Sequence, residues 1–206
     1  MAQLEIIFCD IYKRFIDACT DEIKNNEHLQ QHFKFATYFG DIRDLQVPIN
    51  TAYLSPANSF CSMFGGIDLI YCQEMFPNIH EVVMEKVSKL KTKTTLRRSF
   101  DNLGKGTIRS ILPVGQAMLT PLTEYEKYET CYLLSAPTME YPMDISHTDN
   151  PYQAFLASLK IIAENKDKNI TTLVVPGLGT GIGGFDPEES AKQIFMALNH
   201  FINLKN

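Results

Sequence analysis

The chain has 206 residues, 45% of them hydrophobic and 21% charged, with a formal net charge of -5. These values are those of a globular protein with one substantial core; they exclude a disordered chain and offer no overall positive field for a nucleic-acid backbone. The five cysteines form no C-x-x-C pair and are odd in number, so no disulfide framework is expected and a reducing compartment fits. No basic segment precedes a long apolar run at the N-terminus, and no apolar run approaches the roughly 20 residues a membrane span needs. A soluble, cytoplasmic protein is expected, reaching the nucleus by diffusion, with no membrane partner and no bulk nucleic-acid binding.

In chain order, Leu4 to Phe8 reads as a buried strand, with Asp10 as the N-cap of a helix carrying Ile11, Phe15, Ala18, Cys19 and Ile23 at helical spacing. Lys34 to Phe39 and Ile49 to Leu54 read as strands. After Gly65-Gly66 a helical pattern begins, breaks at Pro77 and resumes through Val87. Ile111 to Leu119 and Cys131 to Ala136 read as strands, Pro151 to Ala163 as a helix, and Ile170 to Val175 as a β-branched strand. Pro187 opens a final amphipathic helix through Phe201. Alternating strands and helices predict one layered α/β domain over residues 1–206 with a mostly parallel central sheet. Ligands of such sheets sit beyond the carboxyl ends of the strands, which singles out residues 55–68 and 176–185.

The second segment, Pro176-Gly177-Leu178-Gly179-Thr180-Gly181-Ile182-Gly183-Gly184-Phe185, holds five glycines between a strand and a helix. Without side chains, backbone N–H groups can surround an anion, and the following helix would add the positive end of its dipole. A phosphate or diphosphate suits this loop. Its G-x-G-x-x-G string also fits a dinucleotide fold, but that unit needs a further strand and an acid about 20 positions on, where His200 lies in a helix. A purely structural turn is the remaining reading.

Gly40-Asp41-Ile42, Ser55-Pro56-Ala57-Asn58-Ser59, Gly65-Gly66-Ile67-Asp68, Pro113-Val114-Gly115-Gln116-Ala117, Tyr132 to Pro137 and Thr180-Gly181-Ile182-Gly183-Gly184-Phe185 follow one another in the chain. Their order and spacing resemble the macro domain family, in a divergent, macro-like form. The resemblance implies a three-layer α/β/α domain with a mixed, mostly parallel sheet that binds ADP-ribose or ADP-ribose-1″-phosphate, without a cofactor or metal. An ADP-ribosylated protein is a further implied partner. Asp41, with Ile42 beside it, would take the adenine amine; Asn58 would hold the distal ribose. Gly65, Gly66 and Ile67 would close over the distal phosphate and ribose. Gly179, Thr180, Gly181, Ile182, Gly183 and Gly184 would cradle the diphosphate, and Phe185 would pack on a ribose or the base. Asp68 would position or activate a water near the anomeric carbon, with Asn58 also counted as catalytic.

Plainer roles stand beside each: turn chemistry for Asp41 and Asn58, a helix-entry turn for Gly65 and Gly66, core packing for Phe185, and a dipole-favoured carboxylate for Asp68. The chain also departs from the family pattern. Ser55 stands where the motif has an asparagine, and Cys72 where many hydrolytic members carry a histidine four residues after the aspartate. A hydrolase of ADP-ribose-1″-phosphate or of ADP-ribosyl esters and a non-catalytic ADP-ribose reader therefore both remain open, beside a third reading in which another nucleotide-binding α/β protein uses these loops for a phosphate-bearing ligand. His28 and His32, at i and i+4, lack the other parts of a metal site and read as an exposed helix end. The basic stretch Lys86, Lys89, Lys91, Lys93, Arg97, Arg98 reads as a helix end and solvated loop. Cys61 has no adjacent base and reads as an inert thiol.

Overall fold

The computed structural model describes residues 3–96 and 107–204. Six strands form one sheet: β1 (Leu4–Asp10), β2 (Phe33–Phe39), β3 (Thr51–Ser55), β6 (Met118–Pro121), β7 (Tyr132–Ser135) and β8 (Thr172–Val175), in the order β2-β1-β8-β3-β7-β6. The first five in that order run parallel, and β6 pairs antiparallel with β7 through Leu119 and Leu134 at one edge. A separate hairpin of β4 (Lys93–Leu96) and β5 (Thr107–Ser110) interrupts the chain between these strands.

The inner strands are apolar on both faces because both are covered. Successive side chains of a strand point to opposite sides, and the packing follows that parity. Ile6, Phe8, Ala52, Leu54, Leu173 and Val175 join one buried cluster with Phe15, Phe155 and Phe195. These three come from α1 (Lys13–Asn25), α4 (Asn150–Glu164) and α5 (Pro187–Asn203). Ile7, Cys9, Tyr53, Leu133 and Val174 point the other way, onto Tyr71, Phe76, Ile79 and Val83. That side is covered by α2 (Gly66–Ile70), a π-helical turn over Tyr71–Met75, and α3 (Ile79–Ser88). The result is the expected three-layer α/β/α arrangement around a mixed, mostly parallel sheet. Among the described residues no helix is long and apolar enough to cross a membrane.

Several elements differ from the sequence reading. Ile111 to Leu119 is not a strand; only Met118 and Leu119 enter β6. Pro113 supplies no N–H to a ladder and Gly115 takes a left-handed φ of 83°, so pairing cannot pass through them. Asp10 is the last residue of β1, not the cap of α1. That cap is Tyr12, without a side-chain bond, and Ile11 is 60% exposed. The β4–β5 hairpin was unforeseen, and within the basic stretch Arg97 and Arg98 lie outside the described residues. His28 falls in a 3-10 turn over Glu27–Gln31, its Nε2 2.6 Å from Asn199 Oδ1.

Candidate functional site

A cleft of about 660 Å³ opens at the carboxyl ends of the five parallel strands. Its walls are the segments that follow each strand: Asp10 to Tyr12 after β1, Gly40 to Arg43 after β2, Pro56 to Asp68 after β3, Thr138 to Pro142 after β7, and Pro176 to Gly183 after β8. Parallel strands all end on one side, so topology alone gathers loops that are distant in sequence.

The loop after β8 is held from beneath and left open above. Ile145 donates its N–H to Gly183 O at 2.9 Å, and the Ile145 side chain occupies the space a Cβ would need at Gly179 and at Gly183. Phe185 N–H donates to Gly179 O at 3.1 Å. Gly177 N–H donates to Asp10 Oδ2 at 2.9 Å, while Asp10 Oδ1 accepts from Tyr12 N. Between these ties, the N–H groups of residues 178–183 donate to no partner among the described residues. Such a run of free donors on a curved backbone is suited to an anion. At Gly181 a Cβ would meet nothing within 4 Å.

The first N–H groups of α5, which the sequence reading offered to the same anion, are taken by a side chain. Asp186 caps that helix, accepting from Glu188 N at 2.9 Å and Glu189 N at 3.3 Å, and Arg14 pairs with Asp186 and Glu188 outside the cleft. A carboxylate already sits on the positive end. Phe185 does not line the cleft either: it is 3% exposed and packs with Met139 and Ile145 under the glycine loop. Gly184 likewise stays outside the lining, beside Asp144. Asp41, Ile42, Asn58, Gly65, Gly66, Ile67, Asp68, Gly179, Thr180, Gly181, Ile182 and Gly183 all line it.

On the opposite wall, the Asn58 side chain organises its own loop. Oδ1 accepts from Phe60 N at 3.0 Å and Ser62 N at 3.4 Å, and Nδ2 donates to Ser62 Oγ at 2.6 Å. One amide hydrogen remains for another acceptor. The loop then runs through Cys61, in a left-handed φ of 52°, to Gly65, whose Cβ position lies 3.7 Å from Ile182 Cδ1 of the facing loop. The two glycine-rich segments thus meet across the cleft. Burial pushes the Cys61 thiol up to about 12, and burial also raises Cys72, whose Sγ lies 3.2 Å from Met63 O. Neither is an activated thiolate.

Asp68 sits in the first turn of α2, 6% exposed. Its Oδ1 accepts a short hydrogen bond from Ser55 Oγ at the end of β3. Burial pushes the carboxyl up to about 7, and the Ser55 bond acts in the opposite direction. On the loop after β2, Asp41 is held down to about 2 by the Arg43 guanidinium beside it, so it is a carboxylate at every physiological pH. The two carboxyls therefore differ in charge: Asp41 stays ionised, and burial holds Asp68 well above the ordinary carboxylate range.

Asp10, Ser55 and Arg43 are the residues that sequence reasoning missed. A signal existed for Asp10 and Ser55, since each is the last residue of a buried apolar run whose carboxyl end faces the cleft. Among the described residues, no group of three or more His, Cys, Asp or Glu side chains could hold a metal.

A family model described as "Macro domain" matches residues 55–194. No curated protein matches the chain. Among solved structures, the macrodomain of Mycobacterium tuberculosis DarG is similar at 17% identity with a TM-score of 0.54, over 78% of this chain and 87% of that one. Thermosipho africanus DarTG, solved in complex with ADP-ribose, is 17% identical with a TM-score of 0.47; the match covers 85% of this chain and 47% of that protein. At such identities the DarG likeness speaks to the fold alone. The family match spans more than half of the sequence and contains both glycine-rich loops and Asp68, and the chain belongs to the macro domain family.

Proposed function

We propose that this chain binds ADP-ribose through the cleft and hydrolyses an ADP-ribosyl derivative, either ADP-ribose-1″-phosphate or an ADP-ribosyl ester on protein. The observation that carries the proposal is the joining of free N–H donors at residues 179–183 with the buried carboxyl of Asp68 in one cleft. Asp41 supplies a permanent acceptor for the base, and the glycine loop takes the diphosphate. Asn58, with its one unspent amide hydrogen, and the segment from Gly65 to Ile67 face the distal ribose.

In this reading the Asp68 carboxylate takes a proton from a water that attacks the anomeric carbon. The bond from that carbon to the phosphate or acyl oxygen breaks, and its electron pair leaves with the departing oxygen. Phosphate and carboxylate are both stable anions near neutral pH, so departure needs no acid and one basic residue suffices. The non-catalytic reader has one observation in its favour: no histidine lines the cleft among the described residues.

The deciding experiment offers purified protein ADP-ribose-1″-phosphate and an ADP-ribosylated carboxylate peptide, and measures released phosphate and ADP-ribose. Turnover is expected on one of them, with Asp68→Ala lowering kcat about 10²–10⁴-fold while ADP-ribose affinity holds. Binding without turnover on either substrate makes the chain a reader.

A further inference from the structure

Asp10 ends β1, and the sheet order sets β1 between β2, which leads into Gly40 and Asp41, and β8, which leads into the glycine loop. In register, Asp10 stands opposite Phe39 and Phe8 opposite Val175. The residue is tied to both neighbours. Its carbonyl oxygen accepts from Gly40 N at 3.0 Å, and its Oδ2 accepts from Gly177 N at 2.9 Å. Its Oδ1 accepts from Tyr12 N at 2.9 Å. The approach to the glycine loop is close: a Cβ on Gly177 would lie 3.0 Å from Asp10 Oδ2 and 2.5 Å from Thr180 Oγ1. Among the described residues no cation pairs with Asp10, and the half-buried residue lines the cleft. A carboxylate oxygen accepts through two lone pairs. Each oxygen of Asp10 has spent one and keeps one.

We infer that Asp10 receives the vicinal hydroxyls of the nucleoside ribose, and thereby selects a ligand with a free 2′-hydroxyl over one whose ribose is 2′-deoxy or 2′-phosphorylated. The inference rests on the ADP-ribose reading of the cleft and deepens it. In that reading the base lies at Asp41 and the diphosphate at the glycine loop. The group that joins base to diphosphate in ADP-ribose is this ribose, and Asp10 is the residue bonded to both loops. The 2′- and 3′-hydroxyls supply two adjacent O–H donors, and the carboxylate keeps two acceptor positions, one on each oxygen. A site built to receive a hydroxyl rejects an analogue that lacks it far more strongly than an apolar pocket would. A 2′-phosphate supplies oxygens in place of that donor and sets negative charge against a carboxylate that no cation neutralises.

The test titrates ADP-ribose, its 2′-deoxyadenosine analogue and its adenosine 2′-phosphate into wild type, Asp10→Asn and Asp10→Ala by calorimetry. The wild type is expected to favour ADP-ribose about 10- to 100-fold over the deoxy analogue and at least about 100-fold over the 2′-phosphate. Both variants should weaken ADP-ribose binding and bring the deoxy ratio to within about threefold. Asp10→Asn, which removes the charge at nearly constant shape, should also bind the 2′-phosphate more tightly than wild type does. A merely structural role cannot produce that gain: losing the ties to Tyr12 and Gly177 would weaken all three ligands together and leave the ratios unchanged, which would overturn the inference. Melting temperatures check that the variants fold; should neither fold, the wild-type ratios carry the test. Equal wild-type affinity for ADP-ribose and the deoxy analogue would also overturn the inference while leaving the ADP-ribose reading intact. Wild-type binding of none of the three would remove the ADP-ribose reading itself.

Discussion

Ser55, the last residue of β3, donates its hydroxyl to Asp68, two residues into α2. The pair joins strand end to helix start across the loop that lines the cleft. It also places two opposed influences on one carboxyl: burial drives the ionisation of Asp68 up to about 7, and the hydroxyl favours the charged form.

If Asp68 acts as a base, kcat/KM should rise with pH through about 7 and level off above it. Ser55→Ala removes the bond that favours the carboxylate, so the rise should move to higher pH. A pH–rate profile of the two proteins checks this. A profile that falls through neutrality would assign Asp68 the role of an acid.

The same carboxyl makes stability depend on pH. Its folded-state ionisation lies above the ordinary carboxylate value, so the folded protein holds a proton that the unfolded chain releases. The associated stability is fully present below about pH 4 and is lost as pH rises towards 7. Asp68→Asn should abolish that dependence and stabilise the protein at pH 8 by roughly 2–4 kcal/mol. Urea melts at pH 5 and pH 8 on both proteins measure it.

Gly181→Glu should leave the melting temperature within a few degrees of wild type and abolish ADP-ribose binding. The new Cβ meets no atom within 4 Å, while the added carboxylate competes for the space and the N–H donors that an anion needs. Gly183→Ala is the contrast. Its Cβ would lie 2.5 Å from Gly179 O and 2.8 Å from Ile145 Cγ1, so it should distort the loop and lower stability. Thermal melts with and without ligand separate the two outcomes.

Ile145 lies outside the lining yet supports the glycine loop from beneath. Ile145→Ala should cost about 2–5 kcal/mol, as large-to-small substitutions at buried sites do, and should weaken ADP-ribose binding as the loop loses its support. Undiminished affinity in a destabilised protein would mean that the loop holds its shape without this contact.

The layered fold was legible because the buried strands and the last two helices carry periodicity that survives without tertiary information: Leu4 to Phe8, Ile170 to Val175, and the helix opened by Pro187. The segment from Ile111 to Leu119 was misread because its apolar content outweighed Pro113 and Gly115, which in fact block pairing. Most of the candidate site was legible through its glycines and acids, since five parallel strands bring their following loops together whatever the loops contain. Side-chain commitments were only partly so. Core packing for Phe185 and turn chemistry for Asn58 stood among the readings, and Phe185 does turn inward to Met139 and Ile145, while Asn58 gives three of its hydrogen-bonding positions to its own loop; Asp186 as the cap of α5 was not foreseen. Each depends on a neighbour or on a loop geometry that no spacing rule encodes. Arg43 escaped notice because one of its partners, Glu74, stands 31 residues away.

The central claim is that this cleft is an ADP-ribose site, and calorimetric titration of the purified chain with ADP-ribose tests it most directly. The expected result is one ligand bound per chain with a dissociation constant in the micromolar range, about -8 kcal/mol, and no heat of binding with Gly181→Glu. Absence of binding at millimolar ADP-ribose, with AMP or a dinucleotide bound well in its place, would contradict it.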